Sequence, residues 1–582
     1  MKKIVPVLLF FFAAVSCAGT PPRMPETMPG NITRDDRLQA DAYYHFMTGY
    51  ILEQDGSNEA AMKEYEEAYR LDPDEAGIAL SLASLSIRTG QFDAALRYAE
   101  RAAELQPDKT QALMLLGNIY SGRKMYDEAV AAYRKMTVIN PKQEDPYLYL
   151  GSLYASLKRY DEAVEAFREL AKINPGSLMS PYYLARLYTE RHMYAEALAE
   201  YKRAISLKDD FEPAYTGMAF VYELMDRTDD AIAAYKKTVR INPHNTEVQQ
   251  HLAQLYIQQN SLEEALEQLN RVIANDPQNY DALVKIGLIY AEQKKYEQAV
   301  EAFRTVSLAV PKDLKIRRYL ASTLVAGEHY EEALAEYQSI LAAAPGDLDS
   351  VLQISYIYAQ MGRTDDAIPL LEKTLVEQPG KPELYLYLSN AYMDVGRYQQ
   401  AVDTLNKGYQ LAPDRDELLF SLAVAYEKLG KRDEMIETLK KTIELKPDHA
   451  DALNYLGYSY ADKGENLDEA VRLIKRALLL KQDDGYILDS LAWAYYQKGL
   501  LREALEVMKR AVSKLGDDPV MREHYGDIFL KLSRKDKARE QWLRSLELDP
   551  ENQKLSDKFK EAGFGDPAVL LKDVKPRKKG KK

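Results

Sequence analysis

The stretch YLYLGSLYASLKRYDEAVEAFRELAKINP, running from Tyr147 to Pro175, decides the fold. Gly151 and Ala163 fall where two antiparallel helices must approach closely, and Pro175 ends the segment, since proline lacks a backbone donor and disfavours helix in the residue before it. Working outward, prolines recur at Pro73, Pro107, Pro141 and Pro175, then at Pro243, Pro277, Pro311, Pro345, Pro379, Pro413 and Pro447. The step is always 34 residues or, across Asp209, twice 34. A fixed period of this length signals an array of stacked supersecondary units.

The spacing of Tyr147, Leu150, Gly151, Tyr154, Ala163, Phe167 and Pro175 resembles the tetratricopeptide repeat consensus. The resemblance covers residues 42–552 as fifteen units starting at 42, 76, 110 and onward, the thirteenth one residue longer around Gly464-Glu465-Asn466. It implies an all-α chain, a right-handed α-solenoid superhelix of about fifteen 34-residue helix pairs. Physics gives the same reading. Small residues recur at the eighth position of each unit (Gly49, Ala83, Gly117, Gly151, Ala185) and alanine at the twentieth, so helices can nest. The twelfth unit has Met435 at the twentieth position, where looser packing is expected. Aromatics at the eleventh position (Tyr120, Tyr154, Tyr188) bury large area. No unit buries its apolar face alone, so stacking supplies the partner. Pro369 falls inside the second helix of the tenth unit and predicts a kink or a short helix there.

Outside the array, Lys2 and Lys3 precede an apolar run, Ile4 to Ala14, too short to span a bilayer but suited to a secretory signal. Ala14-Val15-Ser16-Cys17 resembles the lipobox of bacterial lipoproteins, which implies that residues 1–16 are removed and that Cys17, the single cysteine of 582 residues, carries the lipid. Residues 17–41, with Pro21, Pro22, Pro25 and Pro29, read as an extended tether. The resemblance implies a cell-envelope protein and, because Ala18 rather than aspartate follows the cysteine, an outer-membrane address facing the periplasm in a Gram-negative cell. At the other end, residues 553–563 read as a solvating cap helix and residues 564–582 as a basic, disordered tail.

Chemistry-bearing motifs are missing from the sequence. The seven histidines are dispersed, no HExxH pair or glycine-rich phosphate loop occurs, and Ser121 with Lys124, an S-x-x-K match, reads as part of a turn. No enzyme, metal or cofactor is expected. With 77 Lys and Arg against 90 Asp and Glu, a net charge of −13, nucleic acid is not an expected partner either.

Function is expected on the concave groove, to which the fifth, ninth and twelfth positions of each first helix point. The lysines and asparagines with which chaperone-binding tetratricopeptide domains clamp a carboxylate are replaced here by Phe46, Tyr50, Leu80, Ser84, Met114 and Asn118. Two clusters stand out. Lys285, Lys315 and Arg318 suggest a basic patch for a carboxylate or acidic peptide, or solvated charges paired with neighbouring acids. Asn454, Tyr455 and Tyr458 with Asp489, Trp493 and Tyr496 suggest an aromatic partner-binding site, with packing against the next helix as the alternative. The expected occupants are proteins or peptides, with a glycan or peptidoglycan as the second reading, and the expected role is a membrane-anchored scaffold in pilus, outer-membrane or exopolysaccharide machinery.

Overall fold

The computed structural model describes residues 34–572, in which thirty-two helices, α1 to α32 in chain order, and no strand occur. The chain is an all-α solenoid of helix pairs. It divides into two compact units, Met1–Ile286 and Gly287–Lys582, the division falling within α15 (Tyr280–Glu292).

In the first unit, α7 (Asp145–Ser156) and α8 (Tyr160–Ile173) show how a pair is made. Gly151 sits so close to Phe167 that a Cβ there would lie 2.5 Å from Cζ of that ring. Gly49 faces Tyr65 and Gly117 faces Tyr133 in the same way. Large rings at the twenty-fourth position are thus matched by glycine at the eighth. These rings also join neighbouring units: Tyr149 stacks on Tyr133 at 5.3 Å and Tyr183 on Phe167 at 5.1 Å, each sixth-position ring covering the ring of the preceding unit. The twentieth-position alanines Ala61, Ala95, Ala129, Ala163, Ala197 and Ala231 are wholly buried.

Between the helices of every pair, the fifteenth residue takes a left-handed backbone. Glycine fills it in some units, as at Gly56 and Gly362, but Lys124, Lys158, His192, Asp226, Asn260, Lys294, Glu328 and Ser533 do so in others, with φ of 56° to 63°. The following amide reaches back six residues inclusive, as Met125 N–H does to the Tyr120 carbonyl at 2.8 Å, closing the helix with a Schellman turn. Lys124 of the S-x-x-K match is therefore a helix-ending residue.

The second unit repeats the scheme, with Gly287 against Phe303 and Gly526 against Trp542. Two expectations change here. The helix carrying Pro369, α20 (Thr364–Glu377), keeps the fourteen residues of its counterparts, so the expected short helix does not occur. Its disturbance is confined to the first turn. Elsewhere the twentieth-position amide bonds the N-cap carbonyl, as Ala333 does to His329 and Ala401 to Arg397; here Asp366, one residue earlier, takes the Arg363 carbonyl instead. The proline ring, pressing on the carbonyl four residues back, accounts for this tightening. Met435 does not loosen the twelfth unit visibly, being only 3% exposed among Ala423 and Leu439.

The ends also differ from expectation. Helix α1 (Arg34–Gln54) begins inside the expected tether, since no proline follows Pro29 to stop it. Beyond the cap helix α31 (Gln553–Glu561), the expected tail begins with a further helix, α32 (Pro567–Lys572). Phe564, Leu570 and Leu571 are half-buried against Trp542, Leu555 and Phe559, so apolar burial extends order past residue 563. Cys17, its flanking signal and residues 573–582 lie outside the described residues.

Candidate functional groove

The groove site forms in the second unit on α25 (Ala450–Lys463), α27 (Gly485–Gln497) and α29 (Pro519–Lys531), the first helices of the last three pairs. Asp489, Trp493 and Tyr496 lie at i, i+4 and i+7 and so share one face of α27. Trp493 stacks on Tyr496 at 4.8 Å and on His524 of α29 at 4.1 Å, the planes within 16°. His524 lies 6.4 Å from the Tyr458 ring of α25, so one imidazole joins the aromatic groups of both neighbouring helices. Tyr455, one residue from the groove stripe, donates its hydroxyl to Glu427 at the end of α23 (Asp416–Lys428).

A chain of buried charges supports these rings. The Nδ1–H of His524 donates to both carboxylate oxygens of Asp489, at 3.0 and 3.1 Å, with both residues buried. Burial opposes protonation of the imidazole, but Asp489, with Asp527 and Glu523 behind it, outweighs burial and raises its pKa. Asp527 accepts from the Trp542 indole N–H at 2.9 Å and from Lys558 of the cap. Burial pushes the Asp527 pKa up, while Lys558 draws it down. Lys558 also reaches Glu523 at 3.3 Å and lies over the Trp542 ring, so the cap braces α29 from behind.

Two polar atoms of the site are shut off from solvent without a hydrogen-bond partner: Asn454 Oδ1 and Trp493 Nε1. Leaving such groups unpaired costs about 1–3 kcal/mol each.

All six residues predicted from sequence for this cluster lie on α25 and α27. His524, which ties them together, was not predicted. Its signal is positional: it occupies the sixth place, where Tyr149, Tyr183, His251 and Tyr319 each cover a twenty-fourth-position aromatic of the preceding unit, but the unit before His524 has Met508 there. His524 instead covers the groove-facing Trp493. Asp527, Glu523 and Glu427 were missed for a different reason, since their roles depend on burial or on a hydroxyl from another helix.

Two of the three predicted basic residues are engaged by acids. Lys285, in the first unit, lies 2.7 Å from Asp281. In the second unit, Lys315 and Arg318 sit on α17 (Leu314–Ala326); Lys315 faces the Tyr319 ring, and Arg318 holds Asp347 with two bonds of 3.1 Å and Asp349 at 2.9 Å. Hydrogen bonding to Asp347 raises the Arg318 pKa. A cleft of about 320 Å³ lined by Leu341, Pro345, Leu370 and Thr374 lies on second helices of the pairs and holds no set of groups suited to catalysis. Among the described residues, no three His, Cys, Asp or Glu are grouped to hold a metal, and no helix is long and apolar enough to cross a membrane.

The fold and groove define a class, the tetratricopeptide repeat solenoids, and the family comparisons agree along the chain. Tetratricopeptide repeat models match residues 42–75 and 416–449, residues 80–144 and 490–552, and residues 290–354 and 358–408. The tetratricopeptide domain of cytochrome c-type biogenesis protein H matches residues 217–317, and subunit 3 of the anaphase-promoting complex matches residues 122–204. No curated protein matches the chain. Similar solved structures include the Cut9-Hcn1 hetero-tetramer of the anaphase-promoting complex, 14% identical over 84% of this chain and 96% of that one with a TM-score of 0.38. Yeast Tom70 is 15% identical over 74% of this chain and 100% of that one, TM-score 0.37, and MamA is 28% identical over 28% and 95%, TM-score 0.26.

Proposed function

We propose that the chain is a lipid-anchored scaffold of the cell envelope that holds a protein partner in the groove formed by α25, α27 and α29. A tetratricopeptide solenoid suits protein–protein interaction, and the lipobox-like run ending at Cys17 supplies the anchor in this reading. The matching biogenesis-protein domain is in keeping with an assembly role. The observation that carries the groove assignment is the aromatic stack of Tyr496, Trp493 and His524 on first helices of the last pairs, the surface that solenoids use for binding. The glycan reading is less favoured because Trp493 is already stacked with two rings of the chain, Tyr496 and His524.

The test is photo-crosslinking in membranes with benzoylphenylalanine in place of Tyr496, with and without the double change Trp493→Phe and Asn454→Leu. That pair shortens the aromatic stack and removes the groove amide of α25. The expected result is a discrete crosslinked protein that is lost in the double variant while the helical circular dichroism is kept. Persistence of the product in the double variant defeats the groove assignment.

A further inference from the structure

In the first unit, a second stretch of the binding face lies on α9 (Met179–Glu190) and α11 (Glu212–Leu224), neighbouring first helices that touch. The ninth, groove-facing place on α9 is Arg186, half-buried. Its guanidinium carbon lies 5.8 Å from the centre of the Tyr182 ring and 6.0 Å from that of Tyr183, and Phe211, at the start of α11, meets Tyr182 edge-on at 5.6 Å. Rings from both helices thus fix where the cation sits. Arginines nearby are paired: Arg159, Arg191, Arg203 and Arg227 each hold a carboxylate. Arg186 forms no ion pair among the described residues, and Glu190, one turn further along α9, is exposed and beyond ion-pair distance. The ninth place on α11 is Phe220, 47% exposed, followed one turn on by Leu224, 42% exposed. A single exposed apolar side chain is ordinary surface; here two adjoin an unneutralised, ring-held arginine on the face that solenoids use for binding.

We propose that this face is a second docking site, separate from the groove of α25, α27 and α29, for an extended acidic segment of a partner protein. One Asp or Glu side chain of the segment accepts two N–H groups of Arg186, and an apolar side chain three residues away rests on Phe220 and Leu224. Charge complementarity names the acid. A guanidinium held over aromatic rings presents the paired donors that fit a carboxylate. A phosphate group, with close to two negative charges, meets Glu190 and finds no second free cation, since Arg191 is already held by Asp161. Spacing names the conformation. Packed helices lie about 8–10 Å apart, and in a polyproline II segment side chains three residues apart share a face with about 9 Å between them. The net charge of −13 opposes the approach of an acidic segment, but that field is screened beyond about 8 Å at physiological salt, whereas direct contact with Arg186 is not.

Fluorescence anisotropy of the full chain with a labelled, acetylated and amidated Leu-Pro-Ser-Glu-Pro-Ser-Leu peptide tests the idea, against the same peptide with Gln for Glu. The Glu peptide is expected to bind at least tenfold tighter, and Arg186→Lys and Phe220→Ser each to weaken it at least fivefold while the circular dichroism stays native. Arg240→Gln, which changes an exposed arginine on α12 (Thr228–Ile241), should leave binding unchanged, as should Trp493→Phe with Asn454→Leu. Equal binding of the two peptides, no binding of either, or full binding by Arg186→Lys overturns the carboxylate contact. Equal weakening by Arg240→Gln overturns it as unspecific attraction. Loss of peptide binding in the Trp493 and Asn454 double variant places the peptide in the other groove and defeats the site on α9 and α11, whereas peptide binding that survives a failed Tyr496 crosslink leaves this site standing without the other.

Discussion

At the scale of single residues, the array tolerates strain at its turns and concentrates charge at one end. The left-handed fifteenth position costs a non-glycine residue about 1–2 kcal/mol, offset in part by the greater unfolded-state freedom of glycine. Lys158→Gly is therefore expected to stabilise the chain by about 0.5–1 kcal/mol in urea unfolding, and a loss of stability would show that the Lys158 side chain makes compensating contacts. His524 behaves oppositely with pH. Its folded pKa is raised above the ordinary 6.5, so its pairing with Asp489 stabilises fully below the unfolded value and is lost as pH rises through the folded one. The unfolding free energy of the native chain, read from urea titrations, should exceed that of His524→Phe/Asp489→Leu by more at about pH 6 than at about pH 9. The groups facing the imidazole are Asp489, Asp527, Glu523 and Tyr458, and a pH-independent difference would assign the effect to packing alone.

At the scale of helices, Pro369 shows how far the periodic pattern can bend. Proline in the middle of α20 removes its own amide and crowds the carbonyl of Asp365, yet the helix persists because Ala367, Ile368 and Leu371 are buried against its neighbours. Pro369→Ala should restore the Ala367-to-Arg363 bond seen in equivalent positions elsewhere and raise stability by about 1–3 kcal/mol. Unchanged stability in calorimetry would mean that the tightened first turn carries no strain. The same comparison explains what sequence could and could not reveal. Alanine notches, matched glycine–aromatic pairs and closing prolines recur in unit after unit, so the helix pairs were legible before any coordinates. The extra helix α32 was not, because Phe564, Leu570 and Leu571 follow no repeat and gain their meaning only from Trp542. Trp493 was legible as an intruder at a groove position; His524 was hidden because it looks like one more sixth-position ring until Met508 leaves it without its usual partner.

At the scale of the molecule, the repeat array and the single cysteine answer different demands. Cohesion comes from buried alanines, stacked rings and turn geometry, all repeated and none needing a thiol, so nothing in the described helices calls for Cys17. A solenoid's stability is the sum of its pairs and their interfaces, and a residue lying before the first pair adds nothing to that sum. Attachment, in the lipid-anchored reading proposed above, rests on that residue and the acyl chains it carries, since stable anchoring takes more than one chain. Cys17→Ser should therefore leave the helical circular dichroism and the unfolding midpoint unchanged while moving the protein from the membrane pellet to the soluble fraction of lysed cells. Crosslinking through the Tyr496 position should survive in the released protein when partner is supplied, since the groove lies in the second unit and anchoring acts only on where the partner is met. Retention of the serine variant in washed membranes would show that the array, or its partner, holds the membrane by itself.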